Sequence, residues 1–334
     1  MSGQDGVTDK STDSTGGSGA LKESPAPPAK DDSGVQNMVF DCPVDHSGTT
    51  VFVKGWICPD SEQPPLVIVP DLGEGIGLYK EMALALVREG YSVFGFDLRG
   101  QGRSGSLLGH VRSFDVLVND LLQVVAWVRF KNKRRIPYVL GQGLGSLITI
   151  YFQKNYARMC EGLILAAPLV AAPVNLAHRM LIRTLAEISP RMRLPSGLVP
   201  GYLTSWMPAT MQSGSTRLPR AGGGVTANYA REIYLAVNQV PGVFSCIDSR
   251  TLVLCPGGDT RYEYARLFEL VGRHQSRELF DARETDGENH YVFTRDGPER
   301  DQALATLIAW LNGPDTDDEE SVPGPDTGEA DNLE

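Results

Sequence analysis

The stretch "YVLGQGLGSL", Tyr138–Leu147, decides how this sequence is read. An apolar run enters a turn in which Gly141, Gly143 and Gly145 alternate with other residues, and an apolar, helix-like stretch leaves it. The pattern predicts a strand, a sharp turn and a helix.

Short continuous apolar runs recur on either side of it: "PPLVIVP", "YSVFGFD", "IPYVLG", "CEGLILAAP" and "RTLVLCPG". Runs without polar alternation suit strands buried on both faces, as in a parallel sheet. Helix-period stretches separate them. Tyr79–Arg88 carries Met82, Leu84, Leu86 and Val87 among polar residues, and Phe114–Val128 lines Leu117, Val118, Leu121, Val124, Val125 and Val128 along one side. Near the start, "MVFDCPV" and "TTVFVKGWI" alternate apolar and polar positions around Asp-His-Ser-Gly and predict a hairpin. The sum is an α/β protein with a mostly parallel central sheet and helices on both faces. The rhythm lapses over about 168–249, which is too long for an ordinary loop and predicts an inserted helical cap. It resumes with a strand at Leu252–Cys255, a helix near Tyr264–Val271, a strand near Ser276–Phe280 and a last helix ending "ALATLIAWL".

Residues 1–36 are rich in Ser, Gly, Asp and Pro and are expected to be disordered, since they cannot bury enough apolar surface to offset conformational entropy. Residues 37–312 form the α/β domain. Residues 313–334 are an acidic tail, also expected to be disordered. The tail holds nine of the chain's acids and no Lys or Arg, which accounts for almost all of the net charge of −10. The body is therefore close to neutral, and without a basic stripe it is not expected to bind nucleic acid. No run of about 18 apolar residues predicts a transmembrane segment, and no apolar stretch at the start predicts a secretory signal. The five cysteines, 42, 58, 160, 246 and 255, have neither a disulfide-framework nor a zinc-site spacing. A reducing, cytoplasmic location fits best, with no metal and no cofactor.

The glycine turn admits two readings. A dinucleotide fingerprint G-x-G-x-x-G would use Gly141 and Gly143 but meets Ser146 in the last place, and its acid, Glu161, opens the next strand rather than closing it. The second reading is a nucleophile elbow, G-x-S-x-G, with triad order nucleophile, acid, histidine. Downstream, "LVLCPGGD" puts Asp259 just past a strand end and "TDGENHYVF" puts His290 before the last helix, in that order.

On these residues the chain resembles the α/β-hydrolase fold, in its monoacylglycerol lipase-like, serine aminopeptidase S33 branch. "VPDLGEGIGLYKEMALALVREGYSVFGFDLRGQGRSG" is similar to that branch's His-Gly-x-Gly-Glu, Tyr and Asp-x-x-Gly-His-Gly-x-Ser pattern. "GHVRSFDVLVNDL" resembles the stretch after it, and "GGGVTANYAREIYLAVNQ" the close of the cap in bacterial members. The resemblance spans about Met38 to Asn312. It implies a retained pair, Asp259 and His290, and oxyanion donors in the backbone N–H groups of Leu72 and Leu144. It also shows departures. The nucleophile position is Gly143, the loop's His and first Gly fall on Pro70 and Asp71, and the His of Gly-His-Gly falls on Gln101.

Glycine has no side chain to attack with, and Asp71 adds negative charge beside a site meant to stabilise an anion. Neither Ser146 nor Cys255 is expected to replace the nucleophile. Ser146 lies about one helical turn from the elbow, and Cys255 has apolar neighbours. Ser104 is expected to satisfy local backbone groups, and His46, His110, His178 and His274 to have no chemical role. The cap residues Leu181, Ile182, Leu185, Met192, Trp206, Met207 and Met211 suit either a lid over an apolar pocket or plain packing. The expected function is a pseudo-hydrolase binding a lipid-like or small apolar ligand, or a protein partner. A weak ester hydrolase or proton-transfer enzyme built on His290 and Asp259, and a scaffold acting through its charged tails, are the alternatives.

Overall fold

The computed structural model describes residues 29–30, 35–171, 174–195, 198, 203, 224–259, 262–287 and 290–313. Its centre is a nine-stranded sheet: β1 (Ala29–Lys30), β2 (Gln36–Pro43), β3 (Thr50–Ile57), β4 (Leu66–Val69), β5 (Val93–Phe96), β6 (Tyr138–Gln142), β7 (Leu163–Ala166), β8 (Thr251–Pro256) and β9 (Phe280–Thr285). The spatial order is β1-β2-β3-β5-β4-β6-β7-β8-β9. The first three strands are antiparallel to their neighbours, and β3 meets β5 antiparallel. From β5 to β9 every pairing is parallel.

The apolar runs make the inner strands. Every residue of β4, β5, β7 and β8 is buried, so the sheet is covered on both faces. The expected hairpin is β2–β3, and the pairing runs further toward the N-terminus than the Asn37 boundary, since Ala29–Lys30 pairs with Asn37–Gln36. The strand expected near Ser276–Phe280 instead begins at Phe280, because Arg277–Leu279 closes a tight turn with Leu279 N–H donating to Ser276 O. β9 is an edge strand, half exposed, with sequence FDARET, so it lacks the unbroken apolar run that marks the inner strands.

The helices are α1 (Lys80–Arg88), α2 (Phe114–Lys131), α3 (Leu144–Tyr156), α4 (Leu176–Ile188), α5 (Ala227–Phe244), α6 (Tyr264–Arg273) and α7 (Pro298–Asn312). Aromatic pairs pin helices to the sheet: Trp127 of α2 stacks on Phe40 of β2, and Trp310 of α7 meets Tyr138 of β6 edge-on. In the expected cap, α4 and α5 start at Asn175 and Thr226, whose side chains accept the N–H groups of His178 and Tyr229. Ile182 and Ala186 of α4 are buried, while Leu176, Met180, Leu181 and Ile188 are exposed. Leu185 and Met192 are half-buried. The expectations for Trp206, Met207 and Met211, and for most of both tails, lie outside the described residues.

Candidate active site

The sheet order brings two loops to one point. After β4 the chain crosses to β5 on one side, then returns to lay β6 on the other side of β4. Ligand sites of open α/β sheets form at such a reversal, outside the carboxyl ends of the strands. Val69 is paired with Gly141, so Asp71 and Gly143, each two residues further on, leave the sheet at the same level. Gly143 caps α3 with φ 54° and ψ −116°, a left-handed conformation that favours glycine. Gly145 is required by close approach, since a Cβ there would lie 2.0 Å from the carbonyl oxygen of Val69.

Asp71 fills the space beside Gly143. A Cβ added at 143 would lie 2.3 Å from both Cγ and Oδ1 of Asp71. Asp71 Oδ1 accepts the backbone N–H of Leu144 at 2.7 Å, and Oδ2 lies 3.0 Å from His290 Nε2. The carboxylate thus satisfies one of the unpaired N–H groups at the start of α3, where negative charge is also favoured by the helix dipole. Leu72, the other expected donor, is buried directly after Asp71 in the same loop.

His290 bridges two carboxylates. Its Nδ1 lies 2.8 Å from Asp259 Oδ2, which also accepts the Tyr264 hydroxyl at 2.6 Å. His290 is 1%, Asp71 0% and Asp259 8% exposed, so the trio is shielded from water. Burial alone depresses the imidazole pKa, but the hydrogen bonds and charges of Asp259 and Asp71 outweigh it and raise the value to about 9. A carboxylate against each ring nitrogen and a pKa raised above neutrality favour the imidazolium, which donates from both nitrogens and leaves Nε2 no lone pair with which to take a proton.

A second buried network holds the loop from behind. Glu74 Oε2 accepts the N–H of Asp71 and the hydroxyl of Tyr79, and Oε1 accepts the hydroxyl of Thr294. Burial, and then the charge of Asp71, push the Glu74 pKa up to about 7. Gln101 takes the N–H of Gly73 at 2.7 Å on its oxygen and donates to the Tyr229 hydroxyl at 3.2 Å, tying the loop to α5. Sequence reasoning noticed Asp71 only as an unwelcome charge and missed its seat. The seat depends on Gly143 and Asp71 lying in loops that the fold makes neighbours, which the local sequence at neither position encodes.

The other candidates lie apart from this chemistry. Ser146 is buried and donates to Gly141 O at 2.5 Å. Cys255 is buried, and desolvation first, then Glu284 and Asp259, push its thiol up to about 12. Ser104 accepts Phe52 N–H and donates to Asp97 O. His110 bonds Thr226, His178 bonds Leu198 O and His274 accepts Ser276 N–H, while His46 is exposed. No helix among the described residues is long and apolar enough to cross a membrane.

Residues 61–291, more than half of the chain, match the family described as Serine aminopeptidase, S33. Lysophospholipase L2 of Escherichia coli (strain K12) is 33% identical over 135 residues, 38% of this chain and 40% of that protein. Monoglyceride lipase of Rattus norvegicus is 32% identical over 141 residues, 41% of this chain and 46% of that protein. The chain thus spans less than half the length of these two relatives. Among solved structures, the monoacylglycerol lipase of Paleococcus ferrophilus superimposes with a TM-score of 0.64 at 18% identity, covering 78% of this chain and 98% of that one. A soluble variant of monoglyceride lipase from Saccharomyces cerevisiae gives 0.63 at 16% identity, covering 86% and 96%. At those identities the likeness establishes the fold alone.

Proposed function

Because this chain belongs to the serine aminopeptidase S33 family of α/β-hydrolases, we propose that it is a pseudo-hydrolase, which keeps the architecture without acyl transfer and acts by binding. The observation that carries this reading is the seat of Asp71, between the Leu144 N–H and His290. Acyl transfer needs an attacking group, a base with a free lone pair, and donors aimed at the developing oxyanion. Here the elbow position is Gly143, the imidazole is charged and doubly engaged, and a carboxylate already holds the Leu144 donor. The same contacts count against proton transfer by His290 and Asp259, which also needs a neutral ring with a free nitrogen.

What it binds follows from the kind of protein it resembles. Relatives named as lysophospholipases and monoglyceride lipases point to a lipid-like or other small apolar ligand. The apolar residues that α4 leaves exposed, with Leu235 of α5, suit such a ligand or a protein partner.

The test joins reactivity to ligand detection. A serine-directed fluorophosphonate should leave the protein unlabelled, and a panel of short-chain and monoacylglycerol esters should be turned over no faster than in buffer. Labelling at Ser146 or any other serine, lost in His290→Ala, would overturn the proposal. Native mass spectrometry should reveal a co-purified apolar ligand. A protein that carries none and binds none would shift the reading to a scaffold acting through its charged tails.

A further inference from the structure

A second site stands apart from Asp71, Gly143, Asp259 and His290. A cleft of about 750 Å³ opens between the β2–β3 turn, the loop that follows β5, the first turns of α2, and Arg191 beyond α4. That volume lies within the range of small-molecule sites, roughly 300–1,000 Å³.

The charges on its walls fall into two groups. Arg99, 7% exposed, makes a bidentate pair with Asp120, at 2.8 Å from Nε and 2.6 Å from Nη2, and a third bond from Nη1 to Asp45 at 2.8 Å. The other oxygen of Asp45 accepts the N–H groups of Ser47 and Thr49. This group is closed: every acid on the wall is already matched to Arg99, so a cationic ligand finds no free partner. Arg112 and Arg191 form the second group. Both are exposed, and among the described residues neither makes an ion pair. His110, two positions before Arg112 and hydrogen-bonded to Thr226, has its pKa lowered by burial and then by the charge of Arg191, so it adds no charge at pH 7. Three guanidinium groups against two carboxylates leave the cleft one unit positive, on a chain whose net charge is −10. Its remaining walls include Val44, Leu107, Val111 and Val116, with Leu107 45% exposed.

We infer that this cleft binds a small amphiphilic anion, with a carboxylate or phosphate head held by Arg112 and Arg191 and an apolar stem lying against Leu107. Planar guanidinium forks match both oxyanions, and two of them set on different parts of the chain can grip one head. Arg112 precedes α2 in the sheet domain and Arg191 follows α4 in the cap, so the ligand would clamp the cap to the base. The inference does not depend on whether the elbow is inert.

Titration calorimetry on the full chain tests it with four probes: octanoate, octyl phosphate, octyl glucoside below its micelle concentration, and inorganic phosphate. Octanoate or octyl phosphate should bind saturably at least tenfold more tightly than octyl glucoside or inorganic phosphate, and the better of the two identifies the head group. Arg112→Ala and Arg191→Ala should each weaken that binding at least tenfold, and 0.5 M NaCl should weaken it too. Both residues are exposed, so both variants should fold, which circular dichroism checks. Equal binding of octyl glucoside, equal binding of inorganic phosphate, no saturable binding of any probe, or binding that survives both arginine variants would each overturn the inference. Binding lost in Asp71→Asn but untouched by the arginine variants would place the ligand in the other site and overturn it equally.

Discussion

Asp71 and Gly143 share one volume: the carboxylate of the first occupies the place where a side chain on the second would begin, 2.3 Å from the ideal Cβ position. The two residues belong to loops that leave adjacent parallel strands at the same level. A side chain at 143 and the Asp71 carboxylate in this position exclude one another, so the seat of Asp71 depends on the glycine.

The first consequence is energetic. Gly143→Ser puts a Cβ against Asp71 and into a backbone with φ 54°. Overpacking and backbone strain each cost about 1–3 kcal/mol, so the variant should lose about 2 kcal/mol or more. With Asp71→Gly already present the overlap is gone, and the same serine should cost only the strain. Denaturant unfolding of both single variants and the double variant should give a coupling of about 1 kcal/mol or more. Additivity within about 0.3 kcal/mol would show that the two positions do not compete.

The second consequence concerns activity. Gly143→Ser alone should give at most trace ester hydrolysis, because the Leu144 donor and His290 stay engaged by Asp71. Asp71→Gly together with Gly143→Ser frees both, and Pro70→His extends the reversion. An oxyanion donor is worth about 10²–10³ in turnover, so the combined variants should exceed the single one by roughly a hundredfold or more. A robust esterase from Gly143→Ser alone would mean that Asp71 does not block the hole.

Stability should also depend on pH in one direction. The His290 pKa rises on folding from 6.5 to about 9, so its contribution is complete below pH 6.5 and is lost as pH climbs through 9. Glu74 rises from 4.5 to about 7, so its protonated form favours the fold most at low pH, and that contribution is lost as pH rises through 7. Both act in the same sense, and the His290 part alone is on the order of 3 kcal/mol. Unfolding free energy should therefore decline between pH 5 and pH 9. Asp71→Asn removes a charge that raises both pKa values and should flatten the decline. An identical profile in the two proteins would remove Asp71 from the linkage.

The inner strands, the hairpin, the strand–turn–helix at Gly143 and the order of Asp259 and His290 were all readable, because each leaves a local mark: an apolar run, an alternation, a cluster of glycines, an acid past a strand end. β9 was misplaced because an exposed edge strand carries no such run. The Asp71 contacts were not readable for a different reason. Residue 71 meets residue 290 across 219 positions, and no local pattern encodes which carboxylate oxygen faces which nitrogen. Gln101 is a similar case: the sequence registered a departure at this position, but its link from Gly73 to Tyr229 exists only once α5 is folded over the loop. The Arg112 and Arg191 cleft joins segments far apart in the chain, and neither arginine stands in a basic run.

The most direct test of the account is the protonation state of His290, read from ¹⁵N imidazole shifts of the labelled protein between pH 6 and pH 10, with His290→Ala for assignment. The account predicts that both ring nitrogens are protonated at pH 7.5, with a midpoint near 9 that falls toward 6.5 in Asp71→Asn. A neutral ring at pH 7.5 with an unprotonated Nε2, unchanged by Asp71→Asn, would contradict it, since His290 would then be free to act as a base.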